Sequence, residues 1–150
     1  MNRVFRSGRG TPRTISDRTV SGALLPCTAV FIGATQFTQA ATASGGRLAL
    51  LADRDFYAPG GISLATDPLL TPYTSGETGI AIAIKPDDEV AWAMAAGSYT
   101  PGQELTVGAA GRLTAAAAAG IVVAYFDQPA KTVVAGELAD VVVANFYTKA

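Results

Sequence analysis

The residues able to do chemistry are few and poorly spaced for it. Histidine is absent, which removes the commonest general base and the commonest metal ligand. The single cysteine, Cys27, follows Pro26 in an apolar run. With no histidine to activate it, a buried structural thiol is expected rather than a nucleophile. Asp53 and Asp55, two apart in ADRDF, would share one face of a strand. Calcium needs more oxygen ligands than that, and the glycine and distal glutamate of an EF-hand loop are missing. Asp87, Asp88 and Glu89 follow Pro86 and read as solvated charge in a turn. No G-x-S-x-G elbow occurs, so Ser98 in AGSYTPG reads as a turn residue. No phosphate loop ending in Gly-Lys-Ser/Thr is present, and SGRG supplies two of the three glycines a dinucleotide fingerprint needs. Trp92, Phe146 and Tyr147 are of the type that stacks on sugars, but on alternating strands such residues serve more often as core or interface anchors. The reading is a chain that is not an enzyme, with no catalytic residue, no cofactor and no metal site.

Charge is the one chemical feature with a pattern. The whole chain has 11 basic and 12 acidic side chains in 150 residues. Residues 1–18 hold Arg3, Arg6, Arg9, Arg13 and Arg18 against Asp17, net +4, which leaves the remainder at −5. An acidic body argues against nucleic acid as the partner, because phosphate binding needs a broad positive surface. The arginines alternate with Gly, Ser, Thr and Pro12, a composition for an extended segment without a core of its own. Arginine also suits forked contacts with carboxylates. The expectation is an extended basic arm over residues 1–21 that runs across an adjacent subunit. Its contacts are Arg3, Arg6, Arg9, Arg13 and Arg18 on acidic groups and Phe5 in an apolar pocket. Gly22 and Pro26 interrupt the apolar stretch behind it, so a cleaved leader is not expected.

Residues 22–150 are expected to form a single β-rich globular domain, because apolar residues make up 49% of the chain, enough for a real core. Period-two patterns dominate. GIAIAIKP alternates Ile80, Ile82 and Ile84 with alanines, and EVAWAMAAG sets Val90, Trp92 and Met94 against alanines. AVFIG, RLALLA, ELTV (Glu104 to Val107), IVVAYF and DVVVANFY read as further strands, divided by Pro/Gly-rich turns. Tyr99-Thr100-Pro101-Gly102 and its echo Tyr57-Ala58-Pro59-Gly60 carry the type II turn pattern. TAAAAAG, Thr114 to Gly120, is too short for a stable helix and is expected as a turn or extended stretch. No run reaches the roughly 20 apolar residues of a membrane helix. The fold class is therefore all-β: a β-barrel or β-sandwich of short antiparallel strands with an extended N-terminal arm.

From Gly76 onward the wording is familiar. The run AAGSYTPGQELTVGAAGRLTAAAAAGIVVAYF, closing on AGELADVVVANF, resembles the small β-rich capsid decoration, or cement, proteins of tailed-bacteriophage heads. The likeness covers about half the chain and consists of small residues and turns, not a catalytic motif. It implies a structural virion protein, made in the host cytoplasm, that binds the capsid exterior and bridges neighbouring major-capsid subunits. It also implies a symmetric homo-oligomer; a trimer at a local three-fold would suit such a lattice, with a dimer as the alternative. The acidic body and the short apolar runs lead to no expected nucleic acid or membrane partner. The long N-terminal segment and the Phe37–Tyr73 insertion depart from the simplest family pattern. The competing reading is a β-barrel carbohydrate- or cell-surface-binding module of the head-fibre type.

Overall fold

A computed structural model describes residues 4–6, 11–53 and 67–150. Five strands come first: β1 (Thr14–Val20), β2 (Ala29–Ile32), β3 (Gln36–Gln39), β4 (Leu48–Leu51) and β5 (Thr78–Ile82). They close into a barrel in the order β1-β3-β2-β4-β5. β1 completes the ring, pairing antiparallel with β5 (Arg18 opposite Gly79) and parallel with β3 (Val20 opposite Phe37). The remaining barrel pairs are antiparallel.

Side-chain alternation divides these strands between two cores. Val20, Val30, Phe37, Ala49, Leu51 and Ala81 form one cluster with Leu24 and Tyr73. Their strand neighbours Ala29, Leu48, Leu50 and Ile82 belong to a second, larger cluster shared with the rest of the chain. In β5 it is thus Ala81, not an isoleucine, that joins the barrel's own cluster. A five-stranded barrel is narrow, and glycine at position 79 makes room. A Cβ there would stand 2.6 Å from Val20 Cγ2 and 3.0 Å from the Phe37 ring.

The second half supplies β6 (Glu89–Ala93), β7 (Gly97–Tyr99), β8 (Glu104–Val107), β9 (Leu113–Ala115), β10 (Ile121–Phe126), β11 (Lys131–Val133) and β12 (Leu138–Thr148). Five of these form a sheet ordered β6-β12-β10-β8-β9, and β7 pairs with β11 as a separate ribbon. A parallel bridge between Met94 and Leu113 draws the two outer strands together at one end. Val90, Trp92, Met94, Leu105, Leu113, Val123 and Val141 fill the larger cluster. The turn before β8 forms as its residues require: Gln103 N–H donates to Thr100 O at 3.1 Å and Gly102 has φ 77°. The alanine run is strand and then turn, with Gly120 N–H donating to Ala117 O at 3.0 Å.

Two backbone positions join barrel to sheet. Cys27 N–H donates to Leu51 O of β4, and Cys27 O accepts from Ala93 N–H of β6, both at 2.8 Å. Gly111, at φ 66°, accepts a 2.9 Å hydrogen bond from Trp92 Nε1. A Cβ on Gly111 would lie 2.6 Å from Ala29 O and 2.7 Å from Ala29 N.

Several expectations need correcting. The extended arm over residues 1–21 ends sooner, because Thr14–Val20 is β1 of the barrel, with Val20 buried in its cluster. The strands are not all antiparallel, since β1 and β3 run parallel. The GIAIAIKP strand stops at Ile82 and leaves Ile84 beyond it. In β6 the alanines Ala91 and Ala93 are buried along with Val90 and Trp92, because the barrel and the N-terminal segment cover what one alternating face would have left open. Asp55 and the Tyr57–Gly60 echo lie outside the described residues.

Candidate interaction surface

The N-terminal residues are held by an edge strand. β6 borders the five-stranded sheet, and its free side offers unpaired backbone groups, the usual template for strand addition. Val4–Arg6 takes that place. Ala91 N–H donates to Val4 O and Arg6 N–H donates to Glu89 O, both at 2.7 Å, with Phe5 opposite Val90. The Val4 side chain is fully buried in the larger cluster, and Phe5 packs against it. Arg6 Nε meets Asp140 of β12 at 2.9 Å.

The six residues expected to make contacts are therefore not one group. Phe5 and Arg6 lie on the chain's own sheet. Arg13 is exposed just before β1, where its carbonyl accepts from Ala83 N–H at 2.9 Å. Arg18 donates from Nε to Gly33 O at 2.6 Å and pairs with its neighbour Asp17. Arg3 and Arg9 lie outside the described residues. Val4 was missed: in RVFR the aromatic draws attention, yet strand addition turns the valine inward.

Around the sheet the charges are mostly committed. Glu104 accepts from Tyr147 Oη at 2.7 Å and from Lys149 Nζ at 3.0 Å. These bonds, that from Tyr147 first, hold the Glu104 carboxyl below its ordinary value of 4.5. Tyr147 in turn accepts from Tyr125 Oη at 3.1 Å. Its bonds to Tyr125 and Glu104 push its own pKa above the ordinary phenol range. Glu137 accepts from Lys131 Nζ and from Val134 N–H, each at 3.1 Å, and those contacts likewise lower its pKa. Burial pushes the Cys27 thiol up to about 12, with the Asp53 charge adding to the effect.

Two concave features lie among the described residues, the larger of mixed polarity and the smaller mainly apolar. A groove of about 420 Å³ lies between the barrel and β12, lined by Leu48, Ile84, Pro86 and Val143 with Arg47, Asn145 and Phe146. Phe146 is 43% exposed there. A smaller cavity of about 160 Å³ lies where the barrel meets the sheet, with Leu25, Pro26, Leu69, Ala93, Leu138 and Arg112 among its lining residues. Trp92 is fully buried, which makes it a core anchor and not a stacking platform. Among the described residues no cluster of three or more Cys, Asp or Glu could hold a metal. Comparison with known proteins finds no family model and no curated protein that matches the chain.

Proposed function

We propose that the chain is a structural virion protein that binds the outer surface of a phage capsid and cements neighbouring major-capsid subunits as a homo-oligomer. One observation carries this reading. The stretch that resembles the decoration proteins, from Gly76 to Phe146, takes in the second sheet up to the last residues of β12, together with one barrel strand, β5. It also holds the β7–β11 ribbon. The segments that depart from the family pattern are collected elsewhere: the N-terminus and the Phe37–Tyr73 insertion supply β1, β4 and most of β3 of the barrel. An embellished module of this kind retains its own sheet while gaining new surface.

The mode of action is linkage. A protein that binds only the assembled shell adds its binding free energy to shell stability, and repetition over a lattice turns weak single contacts into high avidity. The test is electron microscopy and heat challenge of particles with and without the protein. Ordered density on the head, with loss of DNA at lower temperature once the protein is removed, is the expected result. Absence from the head, or equal heat resistance without it, would overturn the reading.

The competing carbohydrate- or cell-surface-binding module is favoured by one feature, the exposed Phe146 ring beside Asn145 and Arg47 on the larger groove. Retention on a panel of host-surface glycans, abolished by Phe146→Ala, would decide for it.

A further inference from the structure

Among the described residues four cations are half-buried: Arg18, Arg112, Lys131 and Lys149. Three of them have carboxylates, namely Asp17, Glu137 and Glu104. Arg112 has none. A guanidinium partly withdrawn from water without a counter-charge is unfavourable in the isolated chain, so an anion supplied from outside gains more there than at an open surface.

The backbone keeps Arg112 in place. Its carbonyl accepts from Gly108 N–H at 2.8 Å, and its N–H donates to Ala109 O at 3.3 Å. The guanidinium lies close over Gly136, where a Cβ would stand 3.7 Å from Nη2. The nearest acidic residue in sequence to Gly136, Glu137, is already engaged by Lys131 and Val134 N–H.

The setting adds specificity. Arg112 borders the 160 Å³ cavity whose other walls include Leu25, Pro26, Leu69 and Leu138. Apolar cavities of about 150 Å³ take a guest of benzene's size, so this one accommodates a single leucine, isoleucine or phenylalanine side chain. Leu70, also on its lining, is 60% exposed, and Val134, in the turn that includes Gly136, is 71% exposed. Leu70, a large exposed apolar side chain, thus lines the same cavity as an arginine that has no acidic partner among the described residues. An apolar pocket beside an arginine is the usual make-up of an interface hot spot.

We infer that this cavity is a docking site for an acidic-apolar segment of a neighbouring protein, which places one apolar side chain in the cavity and an adjacent Asp or Glu carboxylate on Arg112. The fork of two N–H donors fits a carboxylate in bidentate fashion, whereas an ammonium would act as a point charge. The inference deepens the cementing reading by naming the chemistry of the shell contact, and it rests on that reading for the identity of the neighbour.

Two measurements separate the inference from the reading. In the first, a blocked tetrapeptide with leucine followed by glutamate is titrated into the labelled full chain and followed by amide shifts. Expected are shifts at Ala93, Arg112, Gly136 and Leu138, at least tenfold weaker binding when glutamine replaces the glutamate, and loss of the response in Arg112→Gln. Leu70→Asp, at an exposed position that leaves the core intact, should weaken it as well. No shifts at millimolar peptide, or equal binding by the glutamine peptide, overturns the inference. In the second, wild type, Arg112→Gln and Leu70→Asp are added to particles stripped of the protein. At least tenfold weaker binding by both variants, each with unchanged thermal unfolding, supports the inference; wild-type binding by both overturns it and leaves the cementing reading standing. A peptide response in a wild type that never binds particles sinks the cementing reading but keeps the site.

Discussion

Substituting Gly111 by alanine probes the joint between barrel and sheet. Two penalties add. The residue sits at φ 66°, and a side chain in the left-handed region costs about 1–2 kcal/mol. The new methyl also meets Ala29 O and N at 2.6 and 2.7 Å and the Gln39 amide. These atoms are mainly backbone, tied into β2 and to the Gln39 side chain, which donates to Ala29 O at 2.7 Å, so they yield little. Overpacking of this kind costs about 1–3 kcal/mol. Gly102→Ala is the matched comparison, with φ 77° and open space around its Cβ. It shares the backbone penalty and the loss of unfolded-chain entropy that accompanies any Gly→Ala change, but not the collision. Urea unfolding followed by Trp92 fluorescence should therefore show Gly111→Ala less stable than Gly102→Ala by about 1–3 kcal/mol. The Trp92 emission of the folded state should also shift, because its Nε1–H bonds the Gly111 carbonyl. Equal losses in the two variants would refute a close-packed joint.

Three further outcomes follow from other parts of the molecule. Val4→Ala removes two buried methyl groups and should lower stability by about 1.5–2 kcal/mol; the Ala91 amide, which donates to Val4 O, should exchange faster, and an unchanged rate there would count against strand addition. Glu104 has a depressed folded pKa, so its contribution is present above the ordinary glutamate range and is lost as pH falls through the folded value. Glu104→Gln should accordingly flatten the acid limb of the stability profile while leaving the slope near neutrality alone, as thermal melts across pH will report. Cys27, buried with a thiol pushed up to about 12, should react with an aromatic disulfide at pH 8 only as fast as the protein opens, and rapid labelling of the native chain would contradict its burial.

Local pattern was enough for the strands that carry their own signal. β8 and β10 have the bounds their residues imply, because Glu104–Val107 follows a Pro-Gly turn and Ile121–Phe126 is a β-branched run bounded by Gly120 and Asp127. β1 was read as arm because Thr14–Val20 is mostly polar; its strand character comes from β3 and from β5, some sixty residues away in sequence, which supply its hydrogen bonds. Phe5 and Arg6 were read as contacts to an adjacent subunit; their seat on the chain's own β6 and the burial of Val4 depend on a pairing no local pattern records.

The Arg112 cavity was not legible at all. Its walls come from positions near 25, 69, 93, 112 and 138, each unremarkable among its own neighbours. Composition and alternation determined by themselves that the chain is all-β, where most turns fall, and that Cys27 is a buried thiol, because each is a property of a few consecutive residues. Only the tertiary structure decided that β1 closes a barrel, that Cys27 and Gly111 join that barrel to the second sheet, and that Arg112 stands without a counter-charge among the described residues. Those features depend on which distant backbone groups meet, and hydrogen-bond pairing between strands is settled by the packing of the whole chain.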